Sequence, residues 1–473
     1  MLKNQLARFV RGPAAAALLL AVALLAPAPS SGQGFKGAGK TPLPDFIPAG
    51  YDDYQNMLDQ LGITKVRKGR DSKVKDTSSE ETANPYKTTM PDLMTFKDGS
   101  KVTSAAEWPK RRAEIVDDFE REVYGRIPKN VPKVTWEVTR TVEGESGGIA
   151  TVTKTLVGHV DNSAFPKIKV DIQASFTVPK HTAGRVPILL QFGFGGGFGG
   201  KGDAIPWTQQ ALNKGWGYGT LNPGSVQGDN DRLREGIIGL TNKGEPRSPE
   251  DWGALRAWGW GVSCLIDYFI ANPDSGVDPT KVCITGVSRY GKAAIVAAAF
   301  DTRVAAGFVA SSGAGGVKLH RHIFGELLEN VAGTKEYHWM AGNYLKYAAQ
   351  ESKFGEKTAA DLPVDQHELI ALCAPRLCFI SYGIVPGDPN WVDARGSFMA
   401  GVLAGPAYRL LGKKDLGTPG DYLTDPLPDV NTLIGGELAW RQHDGGHTNG
   451  PNFPAFYEWA GHYISAPGLR EKK

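Results

Sequence analysis

The fold is decided at Thr285-Gly286-Val287-Ser288-Arg289-Tyr290-Gly291-Lys292. This stretch follows the apolar, strand-like residues 281–285 and precedes the alanine-rich, helix-like residues 293–300. A serine between glycines at a strand-to-helix junction is typical of a nucleophile elbow, a tight turn that exposes the serine Oγ at the top of a sheet. The second glycine, however, comes three residues after Ser288, where the common pattern has two. The same residues are compatible with a turn whose serine caps the helix.

Strand-like and helix-like runs alternate on both sides of this stretch. The run Val186–Phe192 is almost wholly apolar, as expected for a central strand covered on both faces. Upstream, residues 133–178 hold three β-rich runs separated by turn residues, which predict an antiparallel start to the sheet. Residues 321–346 have a mostly helical pattern. The alternation predicts an α/β fold, a three-layer α/β/α sandwich around a mostly parallel central sheet.

The N-terminus has the order of regions found in export signals. Lys3, Arg8 and Arg11 precede an apolar run over residues 14–26, and small residues and prolines follow it. The pattern predicts a signal peptide over residues 1–33 and a secreted or periplasmic protein, with a retained N-terminal anchor as the alternative. Residues 34–100 are predicted to be a polar leader or linker, and residues 101–473 a single domain.

Charge and cysteine content exclude several classes of function. The chain has 53 Lys and Arg against 50 Asp and Glu, and the predicted signal carries the excess. Balanced charge gives no basic surface for nucleic acid or for an anionic membrane. The four cysteines lie in apolar contexts, where disulfides and buried thiols are equally compatible with the sequence. No Cys or His spacing predicts a metal site.

A nucleophilic serine needs a base, and usually an acid that orients the base. In α/β-hydrolases the acid and then the histidine follow the serine along the chain, on loops after late strands. His447 is the predicted base, because two glycines precede it in a late loop; His443 in the same loop is the alternative. Asp388 follows a late strand and is the predicted acid. Asp393 is its alternative, or else caps the next helix.

Further residues near the serine could bind the substrate. The backbone N–H of Arg289 could donate to an oxyanion, and its guanidinium could reach the same oxygen. Lys292 is placed to recognise a polar or anionic substrate, although a solvated helix lysine is the plainer interpretation. The glycine-rich residues 193–200 follow a central strand and could add oxyanion donors, or form an ordinary surface loop.

Several motifs between about Trp108 and the C-terminal helix occur together. They are Gly286-Val287-Ser288-Arg289-Tyr290-Gly291-Lys292, Asp251-Trp252-Gly253, Ala257-Trp258-Gly259-Trp260-Gly261, Phe324-Gly325-Glu326, His367-Glu368-Leu369, Ala374-Pro375-Arg376 and Gly445-Gly446-His447. In combination they resemble the glucuronoyl esterases, carbohydrate esterase family 15. In that family the elbow reads G-[CV]-S-R-x-G-K, so the unusual spacing around the serine becomes a specific feature.

The resemblance implies an exported α/β-hydrolase that cleaves the ester between 4-O-methyl-glucuronic acid on xylan and lignin alcohols. It implies Ser288 as nucleophile, His447 as base and Arg289 as oxyanion stabiliser. The residues expected to contact the glucuronate are Lys292, Glu326 and Trp391. Such an enzyme needs no metal or organic cofactor, and we expect it to act as a monomer on glucuronoxylan and lignin-carbohydrate esters, without nucleic acid or membrane partners.

The chain departs from the family at one informative place. Many members carry a catalytic glutamate in a Glu-Ser-Gly stretch after the strand that follows the elbow, and here that stretch reads Ser311-Ser312-Gly313. The acid must then come from the later loop, which favours Asp388. Val287 also replaces the cysteine of disulfide-bonded fungal members, so the resemblance gives no reason to expect a disulfide beside Ser288.

Two other functions remain compatible with the sequence. An acetyl xylan esterase, or another carbohydrate carboxylesterase, could use the same triad, but an acetyl group offers Lys292 and Glu326 nothing to bind. A carbohydrate-binding protein without catalysis is suggested by the missing glutamate at Ser311.

Overall fold

The computed structural model describes residues 42–193, 205–385 and 388–469. The strands in these ranges are β1 (Ile63–Val66), β2 (Val134–Ser146), β3 (Ile149–Val160), β4 (Asp171–Pro179), β5 (Val186–Phe192), β6 (Gly217–Leu221), β7 (Val277–Val287), β8 (Val304–Ala310), β9 (Ala349–Ser352), β10 (Leu377–Gly383), β11 (Ile434–Gly435) and β12 (Leu438–His443). The α-helices are α1 (Asp53–Leu61), α2 (Glu80–Ala83), α3 (Trp108–Phe119), α4 (Trp207–Asn213), α5 (Gly236–Thr241), α6 (Ala254–Ala271), α7 (Arg289–Phe300), α8 (Leu328–Val331), α9 (Gln366–Ala371), α10 (Ala394–Leu410) and α11 (Phe453–Gly461). A π-helical turn, Glu120–Tyr124, extends α3, and short 3₁₀ turns lie at Lys87–Thr89, Pro223–Ser225, Pro273–Ser275, Tyr337–Trp339, Gly342–Ala348, Ala359–Asp361 and Gly450–Asn452.

A central sheet organises the fold. Within the described residues it has the strand order β11-β12-β10-β8-β7-β5-β6-β4-β3-β2. The run from β12 to β6 is parallel, while β4, β3 and β2 continue it as antiparallel strands. The predicted parallel centre and antiparallel start are both confirmed. β7, which ends at the elbow, lies near the middle of the sheet.

Alternate residues of the central strands pack into two separate cores. On β5, Ile188 and Leu190 belong to one hydrophobic cluster and Leu189 to the other. The first cluster also includes residues of α6, α7, α9 and α10, and the second includes residues of α4 and α11. Because successive side chains of a strand point to opposite faces, helices cover both sides of the sheet. The predicted three-layer α/β/α sandwich is confirmed.

The compact part of the chain begins earlier than the composition suggested. A compact unit covers Phe46–Lys473, so the predicted domain boundary at residue 101 is wrong. Within it, Met57 and Leu61 of α1 are buried, and β1 pairs with β9. Polar residues separate these few apolar side chains, so the segment's composition conceals an amphipathic helix. The predicted signal peptide lies outside the described residues.

The helical pattern predicted over residues 321–346 is also wrong. The structure forms only the four-residue α8 and short 3₁₀ turns there. Gly325 has a positive φ of 58°, which interrupts a right-handed helix, and aromatic residues such as Tyr337 and Trp339 are buried. The side chains of this segment pack in several directions, whereas a surface helix needs its apolar side chains on a single face.

Two further expectations concern membranes and thiols. Among the helices that the structure describes, none is long and apolar enough to cross a membrane. The four cysteines are buried and unpaired, in agreement with the thiol alternative.

Candidate active site

Ser288 lies at the junction of β7 and α7 in a strained conformation. Its φ of 60° and ψ of −128° are unfavourable for a residue with a Cβ and are typical of a nucleophile elbow. A Cβ on Gly286 would lie 2.2 Å from the carbonyl oxygen of Tyr290, and a Cβ on Gly291 would lie 2.5 Å from that of Ala310. The two glycines let the strand end, the first helical turn and β8 approach closely, which explains their spacing around Ser288.

The start of α7 offers a backbone donor next to the serine. The N–H of Ser288 donates to the carbonyl of Ala310 at 3.0 Å, which ties the elbow to β8. Arg289 is the first residue of α7, where a backbone N–H has no acceptor within the helix. This N–H can therefore donate to an oxyanion. Most of the predicted glycine-rich oxyanion loop, residues 194–200, lies outside the described residues.

His447 and Asp388 contact each other across two loops. His447 lies between β12 and α11, and its Nδ1 is 2.6 Å from Oδ1 of Asp388. A carboxylate only accepts hydrogen bonds, so Nδ1 carries the proton and Nε2 is free to act as a base. The His447 side chain is 42% exposed, whereas that of Asp388 is fully buried. The arrangement suits a base that meets substrate and an acid that does not.

Two further groups hold Asp388 in place. Its Oδ2 accepts a hydrogen bond from the N–H of Gly383 at 2.7 Å and another from Oγ of Ser311. Ser311 follows β8 and has a positive φ of 45°. Ser311, where the sequence lacks a carboxylate, therefore binds the later aspartate. Sequence reasoning noted the missing carboxylate at Ser311 but missed this contact.

The alternative acid and base make other contacts. Oδ2 of Asp393 lies 2.6 Å from Nδ1 of His322, and Oδ1 accepts from the N–H of Gly396 at the start of α10. His443 is buried, with Nε2 2.9 Å from the carbonyl oxygen of Thr448. Neither Asp393 nor His443 is thus part of the His447–Asp388 contact, and Asp393 caps the helix as its position suggested.

Lys292 and Glu326 form a buried ion pair one helical turn from the serine. Lys292 is 2% exposed, so the interpretation as a solvated helix lysine is wrong. Its Nζ donates to Oε2 of Glu326 at 2.9 Å and to the carbonyl of Ser312 at 2.6 Å. Ala314 donates its N–H to the same Glu326 oxygen at 2.8 Å. These contacts use two of the three donors of the ammonium group.

The guanidinium of Arg289 is held by residues that the sequence analysis missed. Its Nη1 donates to Oδ2 of Asp229 at 2.6 Å, and the group lies 5.2 Å from the ring centroid of Trp339. His338 and Trp339 also bind Asp229 through ring nitrogens at 2.9 and 2.6 Å. Burial raises the pKa of Asp229, but these hydrogen bonds and the Arg289 charge outweigh it and hold the pKa well below its usual value. No motif surrounds Asp229, so nothing in the local sequence distinguished it.

Trp391 lies next to Glu326. The N–H of Glu326 donates to the carbonyl of Trp391 at 2.7 Å, and the indole is partly buried against the core. Lys292, at the same time, lies 5.6 Å from the ring centroid of Trp339. The three residues predicted to contact a sugar are therefore brought together, with a second indole beside them.

Glu336 adds an unusual carboxylate to this region. Among the described residues, no hydrogen-bond partner reaches its buried Oε2. Burial raises the pKa of Glu336 to about 7, and the negative charge of the neighbouring Glu326 adds to the rise. The positive charges of Lys292 and Arg289 lower the pKa and offset part of this rise. Nothing in the sequence around Glu336 distinguishes it from a solvated glutamate.

Replacing Glu336 by glutamine is expected to stabilise the protein at alkaline pH. The folded-state pKa lies above the unfolded value of about 4.3, so the glutamate destabilises the fold increasingly as the pH rises from about 4.3 to about 7, and by a constant amount above that. The gain for Glu336→Gln should be near zero at pH 4 and at most about 3 kcal/mol at pH 8.5. Urea unfolding at both pH values measures it, with Glu145→Gln on the exposed edge strand β2 as control. An equal gain at both pH values would contradict the expectation.

Comparisons with known proteins find esterases similar to this chain. A family model described as glucuronyl esterase, fungi, matches residues 246–412, which contain the elbow, Glu326 and Asp388. Carbohydrate esterase MZ0003, from an unknown prokaryotic organism, is 29% identical over 415 residues, covering 80% of this chain and 90% of that protein. The 4-O-methyl-glucuronoyl methylesterase of Podospora anserina is 27% identical over 339 residues, covering 70% of this chain and 62% of that protein.

A solved structure gives a closer match over nearly its whole length. The CE15 glucuronoyl esterase from Teredinibacter turnerae is 36% identical, with a TM-score of 0.78 over 87% of this chain and 98% of that one. The chain therefore belongs to the glucuronoyl esterases of carbohydrate esterase family 15.

Proposed function

We propose that this carboxylic ester hydrolase, which acts on esters of glucuronic acid, cleaves the bond between 4-O-methyl-glucuronate side chains of xylan and lignin alcohols. The observation that carries the proposal is the pairing of His447 with Asp388 together with a buried Lys292–Glu326 pair one turn after Ser288. The first pair supports acyl transfer, and the second supports recognition of a hydroxylated acyl group.

The proposed mechanism is a two-step acyl transfer. Ser288 Oγ attacks the ester carbonyl while Nε2 of His447 takes its proton, and Asp388 stabilises the imidazolium. The Arg289 backbone N–H stabilises the oxyanion. His447 returns the proton to the leaving alcohol, and water then releases the acyl group from Ser288 by the reverse path. These residues carry every step without a metal or an organic cofactor.

The acyl side of the substrate is recognised away from the bond that breaks. The remaining donor of Lys292 and the free Oε1 side of Glu326 suit sugar hydroxyls, which both donate and accept. Trp391 offers a flat apolar face for the sugar ring. The Lys292–Glu326 ion pair is buried and already desolvated. An acyl group without hydroxyls would leave these polar groups without partners, so the site discriminates strongly against it.

The setting of the reaction is proposed from the sequence. Residues 1–33 direct export, and the mature protein acts outside the cytoplasm, secreted or periplasmic. It acts as a monomer on glucuronoxylan and lignin-carbohydrate esters. Neither nucleic acid nor a membrane takes part, in keeping with its balanced charge.

Lys292→Met is expected to separate a glucuronoyl esterase from an acetyl esterase. The substitution should lower kcat/KM for benzyl glucuronate by about tenfold to a hundredfold, as expected when a hydrogen bond from a charged group is lost. Because an acetyl group does not reach Lys292, kcat/KM for phenyl acetate or acetylated xylan should change less than about threefold. Parallel assays on both ester classes with one enzyme preparation measure the ratio.

The control addresses the stability of the variant. Removing one partner of a buried ion pair destabilises the fold by about 3–5 kcal/mol, so Lys292→Met/Glu326→Gln is assayed beside the single variant. Equal losses on acetyl and glucuronoyl esters would favour the acetyl esterase. Xylan binding without turnover, and without labelling of Ser288 by a serine-reactive phosphonate, would establish a binding protein instead.

A further inference from the structure

A pocket of about 320 Å³ lies beside the proposed sugar site. One wall is the N-terminal segment around residues 70–76, and the other is formed by Gly325, Asn390 and Trp391. Gly325 directly precedes Glu326, and Trp391 accepts the backbone hydrogen bond of Glu326. The pocket therefore adjoins the residues proposed to bind glucuronate.

The N-terminal wall is fixed to the loop that carries Glu326. Oδ2 of Asp76 accepts from the N–H of Gly325 at 2.8 Å and forms an ion pair with Arg70. The backbone of Arg70 is bound on both sides by the amide of Asn330, at 3.2 and 2.8 Å. Residues 71–75 thus bridge two anchored positions, and four of them, Ser72 to Lys75, line the pocket.

The lining combines apolar surface with positive charge. Lys73 and Lys75 are exposed, and in the described part of the chain neither ammonium lies within ion-pair distance of a carboxylate. Ser72 and Asn390 add hydrogen-bonding groups, while Trp391 gives the lining its aromatic face. A flat aromatic surface surrounded by donors suits a sugar, and uncompensated lysines favour an acidic one.

We propose that Lys73 and Lys75, in the pocket beside Trp391, form a subsite for the glucuronoxylan chain beyond the sugar whose ester is cleaved. The proposal rests on the proposed function and extends it to the polymer. The leaving alcohol is protonated by His447, and no residue of the elbow or of the His447 loop lines the pocket. The pocket instead adjoins Glu326, on the acyl side, where the glucuronate continues into xylan.

The test compares two benzyl esters that differ only in the attached sugar chain. One is benzyl glucuronate, and the other is the benzyl ester of a glucuronoxylo-oligosaccharide. For Lys73→Ala/Lys75→Ala, kcat/KM on the oligosaccharide ester should fall about fivefold to tenfold, through KM, with benzyl glucuronate unchanged. Lys129→Ala/Lys133→Ala, two exposed lysines before the edge strand β2, is the matched control and should change neither.

A binding measurement separates failure of the subsite from failure of the proposed function. The unesterified glucuronoxylo-oligosaccharide is titrated into both proteins by calorimetry, and the Lys73/Lys75 variant should bind it more weakly. Equal affinity, or equal losses of kcat/KM on both esters, would overturn the subsite. If the Lys73/Lys75 variant changes the preference between benzyl and methyl esters of glucuronate, the pocket binds the leaving alcohol, and the subsite for xylan is overturned as well. If the Lys73/Lys75 variant binds the oligosaccharide more weakly but the wild type does not turn over either ester, the subsite is supported and the proposed esterase function is overturned.

Discussion

Ser288→Ala is expected to lower kcat on benzyl glucuronate by about 10⁶-fold, because the acyl-enzyme can no longer form. KM and the free energy of unfolding should change little, since Ser288 is partly exposed and its backbone hydrogen bond to Ala310 remains. Single-turnover assays with the purified variant measure the loss. The catalysis that the oxyanion donors still provide limits how large the loss of kcat can be.

The control for this variant is a serine with a structural contact. Ser263→Ala on α6 removes a hydroxyl that donates to Gly259 one turn earlier, and it should leave kcat unchanged. Turnover by Ser288→Ala within tenfold of the wild type would refute Ser288 as nucleophile. Mass spectrometry after brief incubation with a slow glucuronate ester should detect an adduct on the Ser288 peptide in the wild type alone.

Asp388→Asn is expected to lower kcat by about 10⁴-fold, while Asp393→Asn leaves kcat within about tenfold of the wild type. An asparagine can still accept from Gly383 and Ser311, but its amide then faces Nδ1 of His447. The amide donates, so the proton moves to Nε2 and the base is lost. Initial rates on benzyl glucuronate at saturating substrate measure both variants.

The Asp388→Asn and Asp393→Asn variants should differ in stability as well as in activity. Asp393 caps α10 and contacts His322, so Asp393→Asn should lower the free energy of unfolding by about 1–2 kcal/mol. Denaturant unfolding of both variants checks this order. A large loss of kcat for Asp393→Asn, with Asp388→Asn nearly unaffected, would reverse the proposed assignment of the acid.

Local sequence determined the central strands. The predicted limits of Val186–Phe192 are those of β5. Strands buried on both faces read as continuous apolar runs, so their limits are visible in composition. β7 is longer than predicted, Val277–Val287, because it begins at Val277, which pairs with Val186, and runs through polar residues such as Thr280 that no apolar pattern marks.

Local sequence failed where burial depends on distant partners. The segment carrying α1 and β1 reads as a polar leader, yet β1 pairs with β9, far along the chain. Residues 321–346 read as a helix, yet their aromatic side chains are buried in several directions. In both cases tertiary contacts override the local pattern, which single-sequence reasoning cannot anticipate.

The sequence by itself determined the elbow and the order of a serine, a late acid and a later histidine. Those features follow from local turn chemistry and chain order, which neighbouring residues encode. Only the tertiary structure decided that Asp388 contacts His447 while Asp393 contacts His322, because both aspartates follow the same strand. It alone revealed the contacts of Ser311 and Asp229, since hydrogen bonds across 77 and 60 positions leave no local signal.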